Sequence, residues 1–190
     1  MPRSRSRFTE LWWMATLDLP MCNARWVSYG TASAVPTGQR STRRVNLVME
    51  IRQITSRYYV SPQIDPSNMD ALSNAGFTVV INNRPDNEIG PELKSSLMER
   101  AATQTGLHFI ANSLTMDTMT PDRLILQRQI LEDAEGKVLA YCRSGTRSTI
   151  CWALGHAHDT PPSDLIGAAM KGGYDIKSLA LTLENTFQPI

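Results

Sequence analysis

The sequence predicts an α/β fold with a central, mostly parallel sheet flanked by helices. Three observations predict it. From Met49 onward, short apolar runs alternate with segments of helical period. Proline or a capping residue opens several of those segments, and glycine closes them. The last apolar run feeds a polar, glycine-containing turn and then another helix, the strand-end position where α/β folds gather ligand groups. At 190 residues, with 42% hydrophobic content, the chain is long enough for one core domain plus an extension.

The elements follow in order. Asp65 caps a helix that has Pro66 at its first position; Met69, Leu72 and Ala75 form its apolar face and Gly76 stops it. Phe77 to Ile81 is an apolar, β-branched strand, and the NNRPDNEIG segment after it is a loop at a strand's carboxyl end. Pro91 starts a second helix through Leu93, Leu97, Met98 and Ala101, closed by Gly106. His108 to Ala111 suits a second strand, with His108 read as a satisfied core residue. Thr120 and Pro121 open a third helix running to Gly136, and Val138 to Tyr141 is the next strand. Ile150, Leu154 and Ala157 recur at helical spacing; Ser163 caps a short helix to Lys171, and a last helix lies near Ile176 to Phe187. Met69, Met98 and Met170 are read as core.

The chemistry concentrates at YCRSGTRS, residues 141 to 148. A lone cysteine there stands between a strand and a helix, where unpaired backbone N–H groups and the helix dipole converge. Such a field, with cationic Arg143 or Arg147 nearby, stabilises thiolate over thiol, and thiolate is the attacking form. Gly145 tolerates positive φ and lets the amides of Ser144, Gly145 and Thr146 turn inward as an oxyanion nest. Arg147 adds a planar two-pronged donor, and Ser148 a hydroxyl proton that helps the sulfur leave in a second step.

These residues resemble two families. YCRSGTRS is similar to the active loop of rhodanese-type sulfurtransferases, Cys-x-x-Gly-x-Arg followed by Ser or Thr. It also resembles the phosphate loop of cysteine-based phosphatases, which place five residues between Cys and Arg where this chain has four. From Ile54, ITSRYYVSPQIDPSNMDALSNAGFTVVINNRPDNE resembles the opening of dual-specificity phosphatase-like domains. Taken together, residues 49 to 188 resemble the β-lactamase hydrolase-like phosphatase domain. That resemblance implies a cysteine-phosphatase fold and a cysteinyl intermediate; members are also labelled sulfurtransferases. Phosphatase chemistry needs an acid for the leaving oxygen. Asp117, in SLTMDTMTP, is the candidate by position, with Asp86 and Glu88 as runners-up.

The candidate catalytic residues are thus Cys142, Arg147, Ser148 and Asp117. Arg143, Ser144, Gly145, Thr146 and Arg84 are the substrate-binding candidates, although Arg84 equally suits a salt bridge to Glu88 or Asp86. The expected substrate is a small anionic phosphomonoester or a phosphoprotein; the alternative is a persulfide on Cys142 passing between a sulfur donor and acceptor. A third reading, an anion-binding module without turnover, has no positive support in the residues.

Composition excludes other classes. A net charge of +1 argues against nucleic acid as a partner, and no apolar run is long enough for a membrane span. Neither cofactor nor metal is expected: no CxxC exists, and His156 and His158 are two apart, off a common helical face. Three cysteines, Cys22, Cys142 and Cys151, fit a reduced, cytoplasmic setting, with Cys151 as core filler. Residues 1–48 read separately. Seven arginines against two acids give them +5, which leaves −4 for the rest of the chain, so anion attraction must be local to the loop. With no core pattern, they are expected to be a leader or disordered extension preceding a phosphatase-like domain at 49–190.

Overall fold

The computed structural model describes residues 49–188, and the expectation for residues 1–48 lies outside them. Five strands form one sheet in the order β1-β2-β5-β3-β4. They are β1 (Arg52–Gln53), β2 (Tyr58–Ser61), β3 (Phe77–Asn82), β4 (His108–Ala111) and β5 (Lys137–Tyr141). β1 runs antiparallel to β2 at the edge, and the pairs β2·β5, β5·β3 and β3·β4 are all parallel. The sheet is therefore mixed, with the expected parallel centre.

Alternating side chains on the parallel strands feed two cores. Tyr58, Val60, Val79, Ile81, Val138 and Ala140 pack under one layer of helices, α3 (Pro121–Asp133), α4 (Thr146–Gly155), α5 (Pro162–Lys171) and α6 (Ala180–Thr186). Val80, Leu139 and Tyr141 point the other way, against Met69 and Leu72 of α1 (Met69–Asn74) and Met98 and Ala102 of α2 (Ser95–Gln104). A register shift between Phe77 and Val79 places both residues on opposite faces, so Phe77 joins the second core while Val79 stays in the first.

Local chemistry explains most boundaries. Asp65 accepts from the Ser67 N–H at 2.9 Å, and Asn68 reciprocates on the Asp65 N–H at 2.7 Å, a capping box that opens a 3₁₀ turn at Pro66–Asn68 ahead of α1. The segment from Pro91 forms a 3₁₀ turn, Pro91–Leu93, before α2 starts at Ser95, because Lys94 is extended at ψ 146°. α3 ends at Asp133, three residues short of Gly136, since Ala134 is already extended. α5 begins at Pro162 with Pro161, not Ser163, in the cap position. Two further expectations are corrected: His108 is exposed on the sheet edge rather than in the core, and Met170 is 40% exposed. Strands β1 and β2 were not expected at all. No helix among the described residues is long and apolar enough to cross a membrane.

Candidate active site

The carboxyl ends of the neighbouring strands β5, β3 and β4 are stitched to one another. The Asn83 N–H donates to the Tyr141 carbonyl at 2.8 Å, the Asn112 N–H to the Asn82 carbonyl at 2.9 Å, and the Leu114 N–H to the Asn83 carbonyl at 3.3 Å. The segments leaving β3, β4 and β5 therefore meet. Cys142 is the first residue past β5, 1% exposed, and α4 begins four residues later.

Gly145 shapes the turn between them. It caps α4 at φ 90°, a left-handed conformation that favours glycine, and its N–H donates to Cys142 Sγ at 3.1 Å. Glycine is required there on a second count, because an added Cβ would lie 2.0 Å from Tyr174 Oη. The Tyr174 hydroxyl donates to the Ser144 carbonyl at 3.2 Å, so this ring braces the loop from outside. Ser144 and Thr146 are exposed, their hydroxyls 3.1 Å apart; Arg143 is exposed as well.

Arg147 is held on two sides. Its Nη1 donates to Glu88 Oε1 at 3.0 Å and to the Leu114 carbonyl at 2.7 Å, while Nη2 donates to Glu88 Oε2 at 2.6 Å. This bidentate fork ties α4 to the segments after β3 and β4. The hydrogen bond from Arg147 holds the Glu88 carboxyl below its ordinary carboxylate value. Arg84 joins from the far side: its Nε lies 3.5 Å from Glu88 Oε2, its Nη2 donates to the Glu88 carbonyl at 2.8 Å and its Nη1 to Gln63 Oε1 at 3.1 Å. Glu88 thus lies between two guanidinium groups, and of the two ion pairs foreseen for Arg84 the structure forms the one with Glu88.

The structure brings Cys142, Ser144, Gly145, Thr146, Arg147 and Ser148 into one loop and helix start, with Arg84 linked to them through Glu88. Asp117 is exposed in the segment after β4 and makes no hydrogen bond or ion pair among the described residues. That segment is nevertheless anchored at the site by the Leu114 carbonyl. Asp86 is turned to structural use, accepting from the Ser95 N–H at 2.9 Å and the Ser95 hydroxyl at 2.7 Å to start α2. Cys151 is fully buried in α4, and burial pushes its thiol up to about 12, which keeps it inert. Sequence reading missed Tyr174 and the pairing of Glu88 with Arg147. A carboxylate opposite a loop arginine leaves no local signal when the two are 59 positions apart.

A cysteine closing a central parallel strand, a left-handed glycine and a braced arginine at a helix start define a phosphatase-like α/β domain. Residues 50–159 match the family described as beta-lactamase hydrolase-like protein, phosphatase-like domain, and the chain belongs to that family. It is 28% identical over 138 residues to a beta-lactamase hydrolase-like protein of Agrobacterium fabrum, covering 72% of this chain and 32% of that protein. A protein of the same name from Xylella fastidiosa is 27% identical over 111 residues, covering 58% of this chain and 26% of the relative. The chain thus spans a third or less of the length of these relatives. Among solved structures, a candidate phosphatase of Neisseria meningitidis is 27% identical, with a TM-score of 0.64 over 73% of this chain and 99% of that one. Pseudomonas aeruginosa TpbA shares the fold at 15% identity and a TM-score of 0.52, covering 74% of this chain and 87% of its own.

Proposed function

We propose that the domain is a cysteine-dependent phosphatase acting on a phosphomonoester, small or carried on a protein. The observation that carries this reading is the Gly145 N–H aimed at Cys142 Sγ at 3.1 Å where β5 meets α4, beside an arginine braced by Glu88 and Leu114. Cys142 thiolate attacks phosphorus, forming an S–P bond as the P–O bond breaks, and Asp117 gives its proton to the leaving oxygen. The loop amides and Arg147 hold the equatorial oxygens as negative charge builds. Water then attacks phosphorus with Asp117 as base, which releases phosphate and restores the thiolate. Arg143, Ser144, Thr146 and Arg84 form the rim that meets the rest of the substrate. A reducing, cytoplasmic setting would keep Cys142 and Cys151 as the free thiols they are here.

Persulfide transfer through Cys142 is the second reading, favoured by the four-residue spacing between Cys142 and Arg147, which narrows the cradle. Sulfur transfer needs no general acid. Two variants test the first reading. Cys142→Ser is expected to abolish phosphomonoester hydrolysis. Asp117→Asn is expected to lower it by about 10²-fold or more for poor leaving groups, and far less for p-nitrophenyl phosphate. Equal loss on good and poor leaving groups would remove Asp117 as the acid.

A further inference from the structure

β4 closes one side of the sheet, with no strand beyond it among the described residues. Its pairing with β3 fixes which backbone groups point outward. The Asn112 N–H donates to the Asn82 carbonyl and Ile81 lies opposite Ile110, so the two-residue alternation of a parallel ladder turns the backbone of His108 and Ile110 toward β3. The N–H and C=O groups of Phe109 and Ala111 therefore point away from the sheet. Edge strands are ordinarily shielded by a charge, a proline, a bulge or extreme shortness. The opposite edge obeys that rule, since β1 is two residues long and carries Arg52. β4 reads His-Phe-Ile-Ala, with no proline, acid, lysine or arginine.

The surroundings of β4 are arranged about Ile110. On the α3 face a groove of about 580 Å³ runs along the edge, lined by Thr78, Val79, His108, Ile110, Ile130 and Asp133 among others. On the other face Leu107 and Phe109 border a second groove of about 340 Å³. α3 runs antiparallel to β4. Its start is pinned beside the carboxyl end of the strand, where Asn112 Nδ2 donates to the Arg123 carbonyl at 3.3 Å, and its last residue, Asp133, shares the groove with His108 at the amino end. Arg123 and Asp133 are exposed, and neither has an ion-pair partner among the described residues. They stand about 15 Å apart along the helix.

We propose that β4 is a dimerisation edge, pairing antiparallel with β4 of a second copy of this chain about a two-fold axis at Ile110. In that register each Phe109 stands opposite Ala111 of the other copy, and the two exchange both of their outward N–H and C=O groups. A large side chain meets a small one, and the exposed Ala111 is covered. Ile110 meets its own copy at the axis. Because the two-fold reverses direction, the Arg123 end of one α3 lies beside the Asp133 end of the other, with Glu135 next to it. The edge is thus complementary to itself in hydrogen bonding, size and charge, as an isologous contact requires. An axis at Phe109 would set the two phenylalanines against each other and leave Ala111 with no strand residue opposite, since β4 begins at His108. The two cysteine loops, at the carboxyl ends of their strands, lie at opposite ends of the joined sheet.

Sedimentation equilibrium of the full chain is the test. At about 100 μM the wild type is expected at twice the 21.2 kDa chain mass, with a Kd of about 10 μM or tighter. Arg123→Glu should raise that Kd about tenfold or more, and so should Asp133→Arg with Glu135→Arg; all three changes together reverse the charges and should restore it to within about threefold. Acid at the start of α3 and arginine at its end both suit the helix dipole, so a lost dimer would not reflect a lost helix. Ala111→Pro deletes an outward N–H and should leave a monomer; if it fails to fold, the charge reversals decide. Oxidation reads the register. Ile110→Cys places two sulfurs at the axis, where facing Cα atoms are about 4.5 Å apart, and should give a disulfide-linked dimer that wild type and Ala111→Cys do not. A monomeric wild type overturns the proposal, as does a dimer that the charge reversals leave intact, or cross-linking at Ala111→Cys in place of Ile110→Cys.

Discussion

Replacing Gly145 with alanine separates two costs that the structure keeps distinct. The first is conformational: φ is 90°, and an L side chain in the left-handed region costs about 1–2 kcal/mol. The second is steric. The new Cβ would lie 2.0 Å from Tyr174 Oη and 2.7 Å from its Cζ, so the ring must swing off the loop or the loop must move. Overpacking of this kind costs about 1–3 kcal/mol. Gly76 supplies the control, with φ 82° and nothing within 4 Å of its added Cβ, so Gly76→Ala carries the conformational cost alone. At about 2–4 °C per kcal/mol for a domain of this size, Gly76→Ala should lower Tm by about 4 °C and Gly145→Ala by about 10 °C. Removing the ring in a Gly145→Ala/Tyr174→Ala double variant should recover the difference relative to Tyr174→Ala alone. Thermal denaturation by circular dichroism reads all four proteins. Equal melting temperatures for the two glycine variants would refute the assignment of Tyr174 as the brace on the loop.

Two further predictions concern Glu88. Glu88→Gln keeps the shape of the fork but weakens its charge-assisted bonds to Arg147, and the loosened guanidinium should cost about tenfold or more in kcat/KM, with stability falling only about 1 kcal/mol at this half-buried pair. A loss confined to stability would show that Glu88 does not aim Arg147. The pH dependence has a definite sign. The folded carboxyl titrates below its unfolded value, so its stabilisation is complete above about pH 4.3 and is lost as pH falls through the lower folded value. The stability gap between wild type and Glu88→Gln should hold from pH 5 to 8 and close below about pH 4. A gap that closes above pH 5 would contradict the pairing.

Much of this architecture is legible in the chain because the signals are local. The apolar runs at Phe77 to Ile81 and Val138 to Tyr141 are buried on both faces and read as continuous strands; the glycine that turns the loop and the proline that opens α3 act on their neighbours alone. β2 escaped because it is four residues long, and its tyrosines divide between the two cores, Tyr58 under the α4 layer and Tyr59 against Phe77. β1 is two exposed residues, too short for any period to register. His108 lies in an apolar run, but β4 is an edge strand and both of its end residues, His108 and Ala111, are exposed.

The site divides in the same way. Cys142, Gly145, Arg147 and Ser148 are adjacent in sequence and were recognisable as a unit. Their supports are not: Glu88 reaches Arg147 across 59 positions, Asn83 reaches Ser148 across 65, and Tyr58 across 90. Buried polar residues such as Asn83 and Gln127 also defeat a pattern search, because they interrupt the apolar periodicity by which cores are found.

In the proposed mechanism Cys142 carries the phosphoryl group between attack and hydrolysis. Rapid acid quench of the chain during turnover of a phosphomonoester, followed by peptide mass spectrometry, tests it directly. A phosphoryl group on the Cys142 peptide, absent from Cys142→Ser, is the expected result. Turnover without that adduct, or a sulfur atom on Cys142 after thiosulfate with no phosphoryl adduct under any phosphoester, would contradict it.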